Sequence, residues 1–278
     1  MNTSPLDLSG RRVLVTGAGS GIGRALALEL AVRRCSLVLA GRRAAPLEET
    51  ARLVTGRGGT ARAVIHDLTS ERGPEQAVED AVRILGGLDV LVNNAGNVRA
   101  GALDEDIAAA DIHAMVGLNL LAPILATRAA LPHLRAAGAA HGHAVVLGIA
   151  SGAALVGMPY YSVYAATKAG LARFDEALRR ELWGSGVHVA TAYPGGTQTP
   201  MMESSRAGAD LGYGRRPVEE VVREIVAGVE AGEVDINTQR PERRELQRLN
   251  TADPLAVDAA LAPSLAAMRE AVRGHRSI

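Results

Sequence analysis

R-V-L-V-T-G-A-G-S-G-I-G, residues 12 to 23, passes from a β-branched, leucine-containing run through a glycine-rich turn into a helical pattern. An unbroken apolar run of this length suits a strand buried on both faces, as in a parallel sheet. In the turn Thr16, Gly17, Ser20, Gly21, Ile22 and Gly23 follow one another at close spacing. Glycines there permit a tight turn and let the backbone approach an anion, which the helix N-terminus then stabilises. The spacing of Gly17, Gly21 and Gly23 is G-x-x-x-G-x-G, not the common G-x-G-x-x-G. A phosphate loop of the G-K-[ST] kind is excluded, since no lysine stands here.

Outward from this turn the chain alternates. Strand-like runs occupy 36–40, 62–66, 89–93, 144–148 and 188–193, and helical stretches occupy 22–33, 44–56, 74–86, 108–137 and 163–183. Such alternation predicts right-handed βαβ units and a single Rossmann-like α/β domain. Its sheet is expected to be doubly wound and mostly parallel, with helices on both faces. A glycine- and charge-rich region from 200 to 216 interrupts the alternation and reads as a lid over a substrate. Residues 240–278 read as a helical extension, with a pattern from Asp253 through Leu255, Leu261, Leu265, Met268 and Val272.

Composition narrows the function. Thirty basic residues balance thirty acidic ones, so net charge favours neither nucleic acid nor an anionic membrane. One cysteine, Cys35, excludes an internal disulfide and fits a reducing, cytoplasmic setting. The N-terminus lacks the basic and apolar regions of a signal peptide, and no run of about 18 uncharged apolar residues predicts a transmembrane segment. Seven histidines are scattered, and His141 and His143 stand without a carboxylate or cysteine at ligand spacing, so no metal site is expected.

The end of the second strand bears on the choice of dinucleotide. An NAD site places an acid there for the ribose 2′-hydroxyl. This chain has Gly41, Arg42 and Arg43, with no acid before Glu48. A guanidinium grips a 2′-phosphate that a carboxylate would repel, so the residues favour NADP (NADPH).

Three of the five tyrosines fall within Y-Y-S-V-Y-A-A-T-K, residues 160 to 168. Only Tyr164 lies four residues before Lys168, on the same helix face. A phenol titrates near pH 10, and a neighbouring ammonium is expected to bring it toward the range of a general acid. Tyr160 and Tyr161 are assigned to pocket wall or core.

The sequence resembles a core-type short-chain dehydrogenase/reductase over roughly residues 9 to 237. Five motifs stand in the family's order: T-G-A-G-S-G-I-G (16–23), D-L (67–68), N-N-A-G (93–96), the serine with Y-x-x-x-K, and P-G-G-T-Q-T (194–199). The resemblance implies an oxidoreductase interconverting a small-molecule ketone or aldehyde and an alcohol by hydride transfer. It supplies Tyr164 as acid/base, Lys168 on the nicotinamide ribose and Ser151 on the substrate oxygen. Asn119 would hold a water that relays protons to the lysine. It further implies Asp67 and Leu68 at the adenine, and Asn94, Ala95 and Gly96 beside the ribose. Pro194, Gly195, Thr197 and Thr199 would hold the carboxamide. Related proteins pair two helices across a two-fold axis, so a homodimer or homotetramer is expected, with Leu171, Phe174, Leu178 and Leu182 as apolar support. A non-catalytic NADP-sensing regulator and an NAD-preferring alcohol dehydrogenase are the alternatives. The tail and the lid depart from the family pattern.

Overall fold

The computed structural model describes residues 5–277. Seven strands form one sheet: β1 (Arg12–Thr16), β2 (Ser36–Gly41), β3 (Thr60–Ile65), β4 (Val90–Asn93), β5 (Ala144–Ile149), β6 (Val187–Ala192) and β7 (Asp235–Ile236). Their order is β3-β2-β1-β4-β5-β6-β7, and every pairing is parallel. The helices between them are α1 (Gly21–Val32), α2 (Ala44–Thr55), α3 (Gly73–Leu85), α4 (Ala109–Val116), α5 (Ala122–His141), α6 (Ser162–Glu181) and α7 (Val218–Glu230).

Alternate strand residues feed two cores, as the two-residue period of a strand requires. Val13, Val15, Leu37 and Leu39 pack with Leu26 and Leu30 of α1 and with Val221, Ile225 and Val229 of α7. Leu14, Val38 and Leu91 face the other way, against Val78 of α3, Ala126 and Leu134 of α5 and Leu178 of α6. After β1 the chain moves outward through β2 and β3, then returns to add β4 on the other side. That reversal opens a crevice at the carboxyl ends of β1 and β4, where open parallel sheets hold ligands.

Four differences from the sequence reading stand out. Helix α7 went unread, although Val221, Val222, Ile225, Val226 and Val229 repeat at helical spacing and are all buried. The long helix read as 108–137 runs to His141 and carries a π turn at Gly117–Leu121. By length and composition alone, the 33-residue run Ala109–His141 could cross a membrane, although charged residues interrupt it. In the fold its Ala122, Ala126, Ala130, Leu134 and Ala137 cover the sheet. The tail is not one helix from Asp253. It forms α8 (Pro241–Ala252), α9 (Pro254–Leu261) and α10 (Leu265–Val272), broken around Pro263 at Ala262–Ser264. Met268 and Val272 are buried, whereas Leu255 is exposed.

Candidate active site

The glycine turn is shaped by its backbone. Gly17 and Gly21 have φ of +67° and +52°, the left-handed region that disfavours other residues. A Cβ on Gly23 would lie 2.4 Å from both the Gly17 carbonyl oxygen and Asn94 Nδ2, so only glycine lets α1 start this close to β4. Thr16 and Asn94 tie the two strand ends together. The Thr16 hydroxyl donates to the Val92 carbonyl and accepts from the backbone N–H groups of Asn94 and Ala95. Asn94 Nδ2 donates to the Thr16 carbonyl at 2.9 Å. Ser20 precedes α1 without capping it through its side chain, which leaves the first-turn amides available to an anion. Arg24 braces the loop, donating to the Gly19 carbonyl and to Glu49 of α2. Nothing in the motif flagged that brace.

A cavity of about 630 Å³ opens beside the turn. Gly17, Ser20, Gly21, Ile22 and Gly23 line it, as do Arg42, Arg43, Leu68, Asn94, Ala95 and Gly96. Arg42 and Arg43 are exposed and make no ion pair or side-chain hydrogen bond among the described residues, in contrast to Arg24. Three expected residues are not part of the lining. Thr16 is spent on the strand ends. Asp67 accepts from the backbone and hydroxyl of Thr69 through Oδ1, and those bonds hold its carboxyl below the usual range, helped by Arg42. Asn119 is the third.

Asn119 sits on the π turn and is fully buried. Its Oδ1 accepts from Asn97 N–H at 2.8 Å, and its Nδ2 donates to the Asn97 carbonyl and to Thr167 Oγ1. Both ends of the amide are thus committed to positioning the segment after Gly96 and helix α6. A Cβ on Gly96 would stand 3.2 Å from Asn119 Oδ1 and 3.3 Å from Lys168 Nζ, so a bare backbone is what admits both groups there.

Ser151, Tyr164 and Lys168 all line the same cavity. Ser151 follows β5 and caps a short 3-10 turn, accepting from Ala153 N–H at 3.2 Å. The Gly152 N–H donates to the Pro194 carbonyl, which joins this loop to the one carrying Pro194, Gly195, Thr197 and Thr199. Those four also line the cavity. Lys168 is buried, and its Nζ donates to the Ile149 carbonyl at 2.8 Å. Burial pulls the ammonium down to about 8, opposed by Asp175.

The expected lowering of Tyr164 by Lys168 is not what the fold produces. Burial pushes the phenol up, and Ser151 beside it works the other way. Low polarity disfavours the phenolate more than any neighbour here stabilises it, so the hydroxyl holds its proton at neutral pH.

Beyond the tyrosine the wall carries an apolar patch, Val98, Val156, Met158, Tyr161, Met201 and Leu246, with the Arg243 guanidinium beside Met158 and over the Tyr213 ring. Tyr161 packs edge-on against Tyr164 at 6.3 Å between ring centroids and stacks on Tyr213 at 6.0 Å. Tyr160 has φ of +67°, a strained value for an aromatic residue, and its carbonyl accepts from Gly101 N–H. Sequence reasoning missed Gln239, buried against Gly152, and His275 in the tail, both of which line the cavity. They lie beyond the last motif, and no spacing pointed to them.

A family model described as short chain dehydrogenase matches residues 11–210. A fatty acyl-CoA reductase of Mycobacterium tuberculosis is 35% identical over 206 residues, 73% of this chain and 68% of that protein. A ketoacyl reductase of a Nostoc species is 33% identical over 258 residues, covering 90% and 88%. Among solved structures, a short chain dehydrogenase from Burkholderia cenocepacia in complex with NADP superposes with a TM-score of 0.74. It is 31% identical, and the match covers 84% of this chain and 96% of that one. An NADH-dependent reductase complexed with NAD superposes at 0.72 with 28% identity, covering 83% and 96%.

Proposed function

The chain belongs to the short-chain dehydrogenase family, and on that premise we propose that it is an NADP-dependent enzyme interconverting a ketone or aldehyde and an alcohol. The observation that carries the reading is the convergence of Ser151, Tyr164 and Lys168 on the cavity that the glycine turn also lines. A regulator that only senses the dinucleotide would not need that set.

The residues fit a nicotinamide dinucleotide. The turn from Gly17 to Gly23 has no room for a Cβ where the backbone must come close, and the α1 amides are uncapped. Arg42 and Arg43 would hold a 2′-phosphate, being unpaired and on the lining. Asn94, Ala95, Gly96 and Lys168 would flank the nicotinamide ribose, and Pro194, Gly195, Thr197 and Thr199 the carboxamide. When bound, the cofactor supplies or accepts the hydride. The protein's part is orientation and proton transfer. Tyr164 Oη gives its proton to the carbonyl oxygen in the reductive direction and removes it in the oxidative one. The Ser151 hydroxyl steadies that oxygen as charge develops. Lys168, held by the Ile149 carbonyl, would serve the cofactor's ribose from the same cavity. The apolar walls exclude water and admit an apolar carbonyl compound.

The proposal extends to a cytoplasmic setting, for which a single buried cysteine is the support, and to assembly as a homodimer or homotetramer. The sequence-level support for assembly is revised. Leu171, Leu178 and Leu182 are buried within the protomer, the last two in the core that Phe174 also packs against. Among the exposed apolar side chains, Val116 and Leu121 stand at the junction of α4 and α5, 40% and 51% exposed, and Trp183 just past α6.

Mixing purified protein with NADPH or NADH and a panel of ketones and aldehydes tests the reading. Oxidation of NADPH in preference to NADH is the expected result. No oxidation of either by any carbonyl would overturn it.

A further inference from the structure

The last residues of the chain return to the site. Segment 98–100, directly after the N-N-A-G motif, pairs antiparallel with 275–277 through a bridge between Arg99 and Arg276. Ala100 N–H donates to the His275 carbonyl and Ser277 N–H to the Val98 carbonyl, each at 3.0 Å. Ser277 Oγ accepts from Val98 N–H, and Arg206 of the lid donates its N–H to the Ala271 carbonyl. The tail is thereby joined to the floor of the cavity and to its lid. His275, Arg276 and Ser277 all line the cavity.

His275 is fully buried, with its ring 6.0 Å edge-on from that of Tyr161. Its Nδ1 lies 2.9 Å from Ser204 Oγ, on the outer side. Ser204 also stands 3.0 Å from the Arg276 carbonyl, which can only accept, and takes the Arg276 N–H. Ser204 has one proton. Giving it to the carbonyl and accepting from Nδ1–H satisfies all these groups, whereas giving it to Nδ1 leaves the carbonyl without it. Burial, with the charges of Arg215 and Arg99, pulls the imidazole down to about 4, so the ring is neutral. Nε2, on the far edge of the ring, then carries a bare lone pair, and it is buried with no partner among the described residues. Leaving a buried acceptor unpaired is costly, so such a group in a folded protein calls for a partner.

We infer that the C-terminal segment is the substrate-side wall and that His275 Nε2 reads a hydroxyl on an otherwise apolar substrate, remote from its reacting carbonyl. The inference rests on the carbonyl-reductase reading of the same cavity and deepens it to hydroxylated ketones or aldehydes. A donor is required, because Nε2 accepts. The apolar surroundings, Val98, Val156, Met158 and Met201, suit the carbon skeleton between the two oxygens.

Three homologous series of alkan-2-ones test this, ending in hydroxyl, methoxyl or methyl, with NADPH as reductant. In the wild type one chain length of the hydroxy series should show kcat/KM roughly tenfold above its methoxy and methyl counterparts, since only the hydroxyl donates. His275→Phe should bring that ratio near one, and His275→Gln, which keeps an acceptor, should restore part of it. A second readout needs no turnover. With seven histidines in the chain, the His275 imidazole nitrogens can be followed by NMR, and the hydroxy ketone alone should shift Nε2. A ratio near one at every length, a ratio that survives in His275→Phe, or an unmoved Nε2 resonance overturns the inference. A shifted Nε2 without turnover of any ketone supports the wall and overturns the reductase reading instead.

Discussion

Asp175 lies two helical turns beyond Lys168 on α6, and both side chains are buried against the same stretch of β5. Lys168 Nζ bonds the Ile149 carbonyl at 2.8 Å, while Asp175 Oδ2 sits so close over Gly148 that a Cβ there would stand 2.0 Å from it. Thr191 Oγ1 of β6 donates to the same oxygen at 3.0 Å, and Asp175 Oδ1 has no partner among the described residues. Burial pushes the carboxyl up to about 7, opposed by the Thr191 bond and by Lys168. The same burial lowers the lysine, and Asp175 is the charge that opposes it.

Asp175→Asn should therefore deepen the fall of the Lys168 pKa below about 8. A lysine that must be charged then loses its proton at lower pH. In a profile of kcat/KM against pH, which reports the free enzyme, the variant should lose activity near pH 8 and retain it near pH 6. An unshifted profile would separate the two residues. Stability gives an independent check. A carboxyl whose pKa is raised on folding binds more protons in the folded state, so its contribution falls as pH rises from 3.8 toward about 7. The difference in Tm between Asp175→Asn and wild type should grow in the variant's favour across that interval.

Cofactor choice is read from Arg42. Replacing it with aspartate should weaken NADPH by about 1.5–3 kcal/mol, the worth of a charged hydrogen bond, and weaken NADH much less. Fluorescence titration with both cofactors measures this. Equal losses, or a wild type that prefers NADH, would remove the 2′-phosphate from the site.

The tyrosines can be told apart by their hydroxyls. Tyr164→Phe should abolish turnover and leave NADPH binding largely intact, because only the proton donor is lost. Tyr160→Phe should stay active, since the structural use of that residue is its backbone at φ +67° and its carbonyl on Gly101. Matching losses in the two variants would mean the wrong phenol had been chosen.

Assembly is measured by light scattering at micromolar protein. A dimer or tetramer of the 28.9 kDa chain is expected, joined through the surface that carries Val116 and Leu121. Leu121→Glu should lower the mass while leaving the fold intact, as its side chain is half exposed. A monomer in the wild type would discard the proposal.

Local chemistry made much of this protein readable from its sequence. The strands β1 to β6 feed both cores by their two-residue alternation, most of them as apolar runs, and the glycines at 17 and 23 sit where backbone must approach backbone. Tyr164 and Lys168 were legible because one helix turn fixes their separation whatever surrounds them. Tertiary structure decided what depends on surroundings. Whether Lys168 lowers Tyr164 turned on burial and on where Nζ points, and neither is encoded in a spacing of four. Asn119 found both its partners on segments distant in sequence. Leu171, Leu178 and Leu182 formed a stripe that could have faced a partner or the protomer's own interior, and only packing chose the interior. His275 is the extreme case. A lone histidine near the end of a tail has no local signature, and it joins the cavity because two short backbone segments, about 175 residues apart, pair as strands. Backbone hydrogen bonds carry no side-chain pattern, so that pairing could only be found in the folded chain.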